Sequence, residues 1–251
     1  MKTWVIVTAA GKSRRMKVKN KMLLSLGGRP VLWWSLRLFS LSPGIDGIVI
    51  VGPSQYLKEY MELANSPGIE KIKAVVEGGA NRQESVFNGL RIVPEDVDLV
   101  AVHDGARPML SSFRLERLLA QAEKHGAAIL AHPVHDSLKK VKDGIIQDNF
   151  SREGIWAAQT PQAFKREILV RAFEKAREDG YRGTDEASLV SRLPYEVHVV
   201  LGSLDNIKLT TAEDIAAAKN LILKRARESV SKVLKTEESE PLEEAFSKDS
   251  P

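Results

Sequence analysis

Short runs of β-branched and apolar residues alternate along the chain with stretches whose apolar positions recur every three or four residues. Trp4–Thr8, Gly47–Val51, Ile72–Val76, Leu99–His103 and Ala127–Ala131 are continuous apolar runs, the pattern of strands buried on both faces. Between them, Val31–Leu41, Gln55–Ala64, Glu84–Ile92 and Phe113–His125 carry the helical period. Strand–helix alternation of this kind predicts an α/β fold. A mostly parallel, Rossmann-like sheet has helices on both faces and ligands at the carboxyl ends of its strands. After Ala131 the pattern changes. Ser137–Lys142 and Ile145–Phe150 alternate around Asp143-Gly144, a favourable hairpin turn. Lys139, Lys140 and Lys142 make this hairpin polar, so it is predicted to project from the core as an arm. Helices follow at Lys165–Glu178 and Asp185–Arg192, then a strand at Val197–Leu201. A last helix starts near Ala212, with Thr210-Thr211-Ala212-Glu213 as its capping box, runs to Arg225 and extends toward Leu234. Beyond Thr236 the segment is acidic and poor in apolar residues, and disorder is predicted there.

Composition narrows the chemistry. The 251 residues include no cysteine, which excludes disulfides, thiolate metal sites and a cysteine nucleophile. No apolar run approaches the ~20 residues of a membrane helix, and the N-terminal apolar part is short and followed directly by Lys12, Arg14 and Arg15, unlike a secretory signal. A cytoplasmic protein is expected, with no membrane partner. The formal charge is +4, but residues 236–251 hold six acids and one lysine, so the remainder carries +9. That excess suits an anionic partner, either nucleic acid or phosphorylated small molecules.

Three strand-ending segments carry candidate chemistry. Ala9-Ala10-Gly11-Lys12-Ser13-Arg14-Arg15-Met16 follows the first strand, and its small residues let backbone N–H groups approach phosphates, with Arg15 and the later Lys21 as cations. It reads as a triphosphate site or, taken alone, as a solvated basic loop. It is not a P-loop, because Ile6 stands where that motif needs its first glycine. Gly78-Gly79-Ala80-Asn81-Arg82-Gln83-Glu84-Ser85 follows the third strand. The paired glycines permit a tight turn with positive φ around a base or ribose, or form a plain connection. His103-Asp104-Gly105-Ala106-Arg107-Pro108 ends the fourth strand. Asp104 there is a candidate ligand for Mg²⁺ or a carboxylate bonded to nearby backbone. The histidines lack zinc-site spacing. Trp33 and Trp34 read as core or subunit contacts.

In this order the segments resemble the 2-C-methyl-D-erythritol 4-phosphate cytidylyltransferases of the non-mevalonate isoprenoid pathway. The resemblance extends through Lys21–Gly28, Pro133–Lys139, Arg152–Phe164, Thr184–Ser188 and Asp205–Thr210, and covers residues 3 to about 225. It departs at Ser13, at Asn20-Lys21-Met22 and its short preceding loop, and at His135 and Ser137 in the arm. The resemblance implies a nucleotide-diphospho-sugar transferase type of fold, with a catalytic domain over 1–225, an arm over 134–155 and a charged extension over 226–251. It implies transfer of CMP from CTP to the sugar-alcohol phosphate with Mg²⁺ as cofactor. Arg15 and Lys21 would stabilise the transition state, and Arg152 and Lys208 would position the substrate phosphate. Ala9, Ala10, Gly11, Gly78, Ser85, Asp104 and Ala106 would lie around the nucleotide. Asp104, Arg107, Ser137, Thr160 and Thr184 would contact the substrate. It also implies a homodimer in which the arm reaches the partner's site. A ribitol 5-phosphate cytidylyltransferase is the near alternative, disfavoured by Arg152-x-Gly154-x-Trp156 and Thr184-Asp185-Glu186-Ala187. A non-catalytic RNA-binding module is the distant one. It lacks any aromatic RNA-binding motif, and nucleic acid is not an expected partner.

Overall fold

The computed structural model describes residues 1–11, 14–16 and 18–237, without the side chains of Arg14 and 229–237. The strands are β1 (Thr3–Thr8), β2 (Ser25–Leu26), β3 (Arg29–Pro30), β4 (Gly47–Gly52), β5 (Ile72–Glu77), β6 (Leu99–Asp104), β7 (Ala127–Pro133), β8 (Leu138–Lys142), β9 (Ile145–Phe150), β10 (Trp156–Lys165) and β11 (His198–Leu201). The helices are α1 (Val31–Leu41), α2 (Leu57–Ala64), α3 (Arg82–Leu90), α4 (Ser112–His125), α5 (Arg166–Glu178), α6 (Glu186–Val190) and α7 (Ala212–Glu237). Seven strands form one sheet in the order β11-β7-β10-β6-β1-β4-β5. Every pairing is parallel except those of β10, which runs antiparallel between β6 and β7.

The continuous apolar runs are explained by burial on both sides. Val5 and Val7 of β1 pack with α1 and α4 residues such as Leu36, Phe39 and Leu118, and with Ala218 of α7. Trp4 and Ile6 point the other way, to Val86 and Leu90 of α3 and Leu169 and Phe173 of α5. The α/β architecture with helices on both faces is therefore as predicted.

Strand β10 is the element that the pattern did not announce. Its middle, Gln159-Thr160-Pro161-Gln162, is polar and contains proline, which argues against a central strand. The sheet accommodates it with a register shift between Ala158 and Gln162. The buried side chains of Gln159, Thr160 and Gln162 are all hydrogen-bonded. Gln159 donates to Ser203 O at 2.8 Å, and Thr160 O accepts from Asn206 Nδ2 at 2.9 Å. The bulge thus ties the sheet to the 203–206 loop, which leads into Lys208.

The remaining differences are local. The paired glycines of the 78–79 turn do not adopt positive φ. Close packing demands them: a Cβ on Gly78 would lie 2.8 Å from Ala10 Cβ and Ser85 Oγ, and one on Gly79 would lie 2.3 Å from Glu84 Cβ. The capping box of α7 is shifted by one residue. Asp214, not Glu213, accepts from the backbone N–H groups of Thr210 and Thr211, and Asp214 N–H donates to Thr211 Oγ1. That helix continues to Glu237, and the disorder expected of the acidic tail concerns residues outside those described, apart from the helix end. The hairpin β8–β9 forms as predicted, with Asp143 (φ 52°) and Gly144 (φ 78°) at its turn.

Gly89 shows how tightly α3, which follows the nucleotide-loop candidate, lies on the sheet. A Cβ there would sit 2.7 Å from Ile6 Cγ2 and 2.8 Å from Val51 Cγ2. Gly89→Ala is expected to destabilise by a net ~1–2 kcal/mol, because overpacking outweighs the ~1 kcal/mol gain in helix propensity. Urea unfolding measures this, and a midpoint equal to or above the parent's would show that Ile6 and Val51 give way.

Candidate active site

The carboxyl ends of β1, β5 and β6 converge on a cleft of about 520 Å³. Its lining comes from remote parts of the chain: Ala10, Gly11 and Arg15 after β1, Lys21 and Met22, Gly79–Arg82 and Ser85, Asp104 and Ala106, then Lys208 and Thr210.

Each piece is held by its own neighbours. Lys21 opens a short 3₁₀ turn capped by Asn20, whose Oδ1 accepts from Met22 N at 3.0 Å. Asn20 Nδ2 in turn donates to the Tyr60 hydroxyl at 3.0 Å, and that hydroxyl donates to Ala9 O at 3.2 Å. Tyr60 is completely buried, and burial pushes its phenol up to about 12. It ties the Lys21 turn to the small-residue loop. Lys21 Nζ donates to Leu209 O at 2.7 Å, which joins that turn to the Lys208 segment. Ser85 donates to Asn81 O and accepts from Gly79 N, closing the Gly-Gly turn against α3.

Asp104 is the electrostatic centre. It is 6% exposed, and Lys208 Nζ lies 2.8 Å, Arg82 Nε 3.4 Å and Arg107 Nε 3.6 Å from its oxygens. Burial alone would raise its pKa, but Lys208, Arg82 and Arg107 together hold it well below the usual carboxylate range. The opposite pressure acts on Lys21. Burial, then the nearby Lys208, lowers its ammonium pKa. The described cleft thus gathers Arg15, Lys21, Arg82 and Lys208 around one lining carboxylate, Asp104, a field that favours a polyanion.

Behind Asp104 lies an uncharged relay. Thr160 Oγ1 accepts from Asp104 N at 3.0 Å and meets His103 Nδ1 at 3.3 Å, while His103 Nε2 meets Arg107 O at 3.2 Å. The carbonyl can only accept, so this network assigns the proton to Nε2 and makes Nδ1 the acceptor of the Thr160 hydroxyl.

The predicted site residues divide into three groups. Arg15, Lys21, Lys208, Ala10, Gly11, Ser85, Asp104 and Ala106 line the cleft. Ala9, Gly78, Arg107 and Thr160 stand directly behind it: Ala9 and Thr160 are buried, and Arg107 Nη1 donates to Asn206 O at 2.7 Å. Arg152, Ser137 and Thr184 are exposed and do not line this cleft. Arg152 and Ser137 belong to the arm, where the Arg152 guanidinium donates to His135 O. Lys12, Ser13 and Lys17 lie outside the described residues. Sequence reasoning gave no role to Arg82 or Glu186, although both sit inside quoted motifs. Their meeting across 104 positions has no local signal.

The family model of IspD, 2-C-methyl-D-erythritol 4-phosphate cytidylyltransferase, matches residues 3–225. The chain belongs to this family. The 2-C-methyl-D-erythritol 4-phosphate cytidylyltransferase of Halalkalibacterium halodurans is 42% identical over 224 residues, 89% of this chain and 98% of that protein. That of Geobacter metallireducens is 40% identical over 227 residues, 88% and 98% of the two chains. Among solved structures, the 4-diphosphocytidyl-2C-methyl-D-erythritol synthase of Anaerococcus prevotii aligns with TM-score 0.77 and 29% identity over 88% of this chain and 96% of that one. The cytidylyltransferase of Thermus thermophilus aligns with TM-score 0.74 and 32% identity, covering 88% and 98%. As a member of the cytidylyltransferase family, the chain is a nucleotidyltransferase.

His103 makes the site measurable through stability. Burial, opposed by Asp104 and reinforced by Arg107, lowers its pKa from 6.5 to about 4. The unfolded chain therefore takes up a proton that the folded one refuses. The stability that His103 contributes is complete above pH 6.5 and is lost as pH falls toward 4, by a total on the order of 3 kcal/mol. Asp104 loses its share only below its ordinary pKa of 3.8. Urea unfolding at pH 7, 5.5 and 4.5 should show a steeper loss for the parent than for His103→Asn. Parallel curves would mean that His103 is solvated in the folded protein.

Proposed function

We propose that this cytidylyltransferase transfers the CMP group of CTP to 2-C-methyl-D-erythritol 4-phosphate, releasing pyrophosphate and forming 4-diphosphocytidyl-2-C-methyl-D-erythritol. The carrying observation is the cluster of Arg15, Lys21 and Lys208 around one cleft, next to the small-residue loop and the Gly78–Ser85 turn. The acceptor's phosphate oxygen attacks the α-phosphorus of CTP. A P–O bond forms there as the bond to the bridging oxygen breaks, and that oxygen leaves with the pyrophosphate. A phosphate monoester has a second pKa of about 6 and is largely dianionic at neutral pH, so no protein base is needed. The barrier is the approach of two polyanions and the charge on the phosphoryl oxygens, which fixed cations lower. Arg15 and Lys21 serve the α-phosphate, while Lys208 and Arg107, both leaning on Asp104, serve the acceptor side.

Mg²⁺ is the expected cofactor. Asp104 is the only carboxylate among the described cleft-lining residues, and it is already engaged by cations. That donor set fits an ion held chiefly by the triphosphate's own oxygens, with Asp104 as the available protein ligand. When bound, Mg²⁺ would offset part of the triphosphate charge.

Arg152 and Ser137 would act on a second copy of the chain. The arm that carries them exposes Val141, Ile145, Ile146 and Phe150, and Trp156 is exposed at its base. Apolar surface of this kind on a projecting hairpin favours burial against a partner.

The reaction is tested by pyrophosphate release from CTP, ATP, GTP and UTP with methylerythritol 4-phosphate or ribitol 5-phosphate as acceptor. Release confined to CTP with methylerythritol 4-phosphate is expected. Preference for ribitol 5-phosphate would reassign the acceptor, and no release with any pair would overturn the reading.

The arm is tested by mixing Arg15→Ala with Arg152→Ala, each nearly inactive alone. Activity should partly return as subunits exchange, because one site of the mixed dimer then has both arginines. Exchange without recovery would place Arg152 and Arg15 in the same subunit's site.

A further inference from the structure

Glu186 is 1% exposed, and no step of the proposed reaction uses it. Burying a carboxylate is costly unless it is paired and hydrogen-bonded, and this one is. Arg82 Nη1 and Nη2 donate to its two oxygens at 2.7 and 2.9 Å, a two-point fork that fixes both side chains in one plane. The remaining face of the guanidinium is also committed, with Nε donating to Asp104 Oδ1 at 3.4 Å. Burial raises the pKa of Glu186, and Arg82 opposes that rise.

Both ends of the pair are clamped by neighbouring side chains. Gln162 of β10 donates to Asp185 Oδ2 at 2.8 Å and accepts from Ala187 N at 3.0 Å, gripping the first turn of α6 on either side of Glu186. Gln83, next to Arg82, accepts from Gly183 N at 3.0 Å and donates to Tyr181 O at 3.2 Å. A pair required only for stability needs none of this aim. Here the rigid fork leads to a single outlet, the Asp104 carboxylate, whose other oxygen holds Lys208. Arg82 also opens α3 directly after the Gly78–Asn81 turn, so it joins the nucleotide turn to the acceptor side of the cleft.

We infer that Arg82 and Glu186 are positioning residues, which set Asp104 and through it Lys208 relative to the nucleotide turn. This builds on the reaction proposed above. With Glu186→Gln the fork loses its charged partner, Arg82 swings its charge onto Asp104, and Lys208 is released. Arg82→Lys keeps the charge but cannot span Glu186 and Asp104 together. A displacement of about 1 Å costs on the order of 10²-fold in rate.

The test compares the parent, Glu186→Gln, Arg82→Lys and the double variant Arg82→Met/Glu186→Leu. The measurements are steady-state kinetics, CTP binding by calorimetry and thermal unfolding. In the single variants kcat should fall 10- to 100-fold and the acceptor KM should rise, and in Glu186→Gln, whose side chain does not line the cleft, the CTP dissociation constant should change less than threefold. The apolar double variant should regain stability relative to Glu186→Gln, because an apolar pair can replace a buried ion pair, yet remain slow. Folded single variants with parental kcat, or a double variant that recovers kcat together with stability, would reduce the pair to a structural one. If Glu186→Gln does not fold, Arg82→Lys alone decides, since its charge is retained. A parent that transfers no CMP would instead sink the functional reading, whatever the variants do.

Discussion

An ionised carboxylate at the buried end of β6 cannot exist there without compensation, and the cations that supply it come from three separate segments. Arg82 arrives from the start of α3, Arg107 from the loop after β6 and Lys208 from the approach to α7. Removing any one leaves buried charge unbalanced, which costs far more than the intact group of contacts contributes. Asp104 therefore acts as the point to which the start of α3, the loop after β6 and the approach to α7 are all referred. Lys21 and Arg15 line the same cleft, where the proposed reaction would place the triphosphate. In the proposed reaction the same group of charges would serve both cohesion and catalysis, and the two roles are separable only by variants that change charge and geometry independently.

Strand β10 does for the backbone what Asp104 does for the charges. Its regular ends complete the sheet between β6 and β7, while its irregular middle turns Gln159 and Thr160 toward the site. Thr160 meets the Asp104 backbone and His103, and Gln159 holds the loop before Lys208. A regular strand here would pair better with its neighbours and would lose both connections. The polar, proline-containing sequence is the record of that compromise.

This is also where the sequence was least legible. Elements buried on both faces, such as β1 and β4, announce themselves because every position is apolar. Helices on the sheet do so through their period. Residues 159–162 carry no strand pattern of their own because their side chains are satisfied by groups more than twenty positions away, which no local window contains. The same holds for the cleft. Lys21, Asp104 and Lys208 were legible through motif order, whereas the Arg82–Glu186 fork was not, because its logic is spatial. The glycines at 78 and 79 were noticed for a conformation they do not adopt. Their absent side chains matter because Ala10, Glu84 and Ser85 crowd them.

The order of strands has a consequence for how the chain can be made. β6 and β7 are consecutive in sequence, yet β10 separates them in the sheet. A chain emerging from the ribosome presents β6 and β7 some twenty residues or more before the strand that belongs between them. Until residues 156–165 are available, two exposed strand edges face each other with nothing to fill the gap, and pairing them directly would be a dead end that later residues must reverse. Asp104 meanwhile waits for Lys208. The sheet between β6 and β7 can therefore be completed only after residues 156–165 have been made, by which point the whole arm has been synthesised as well.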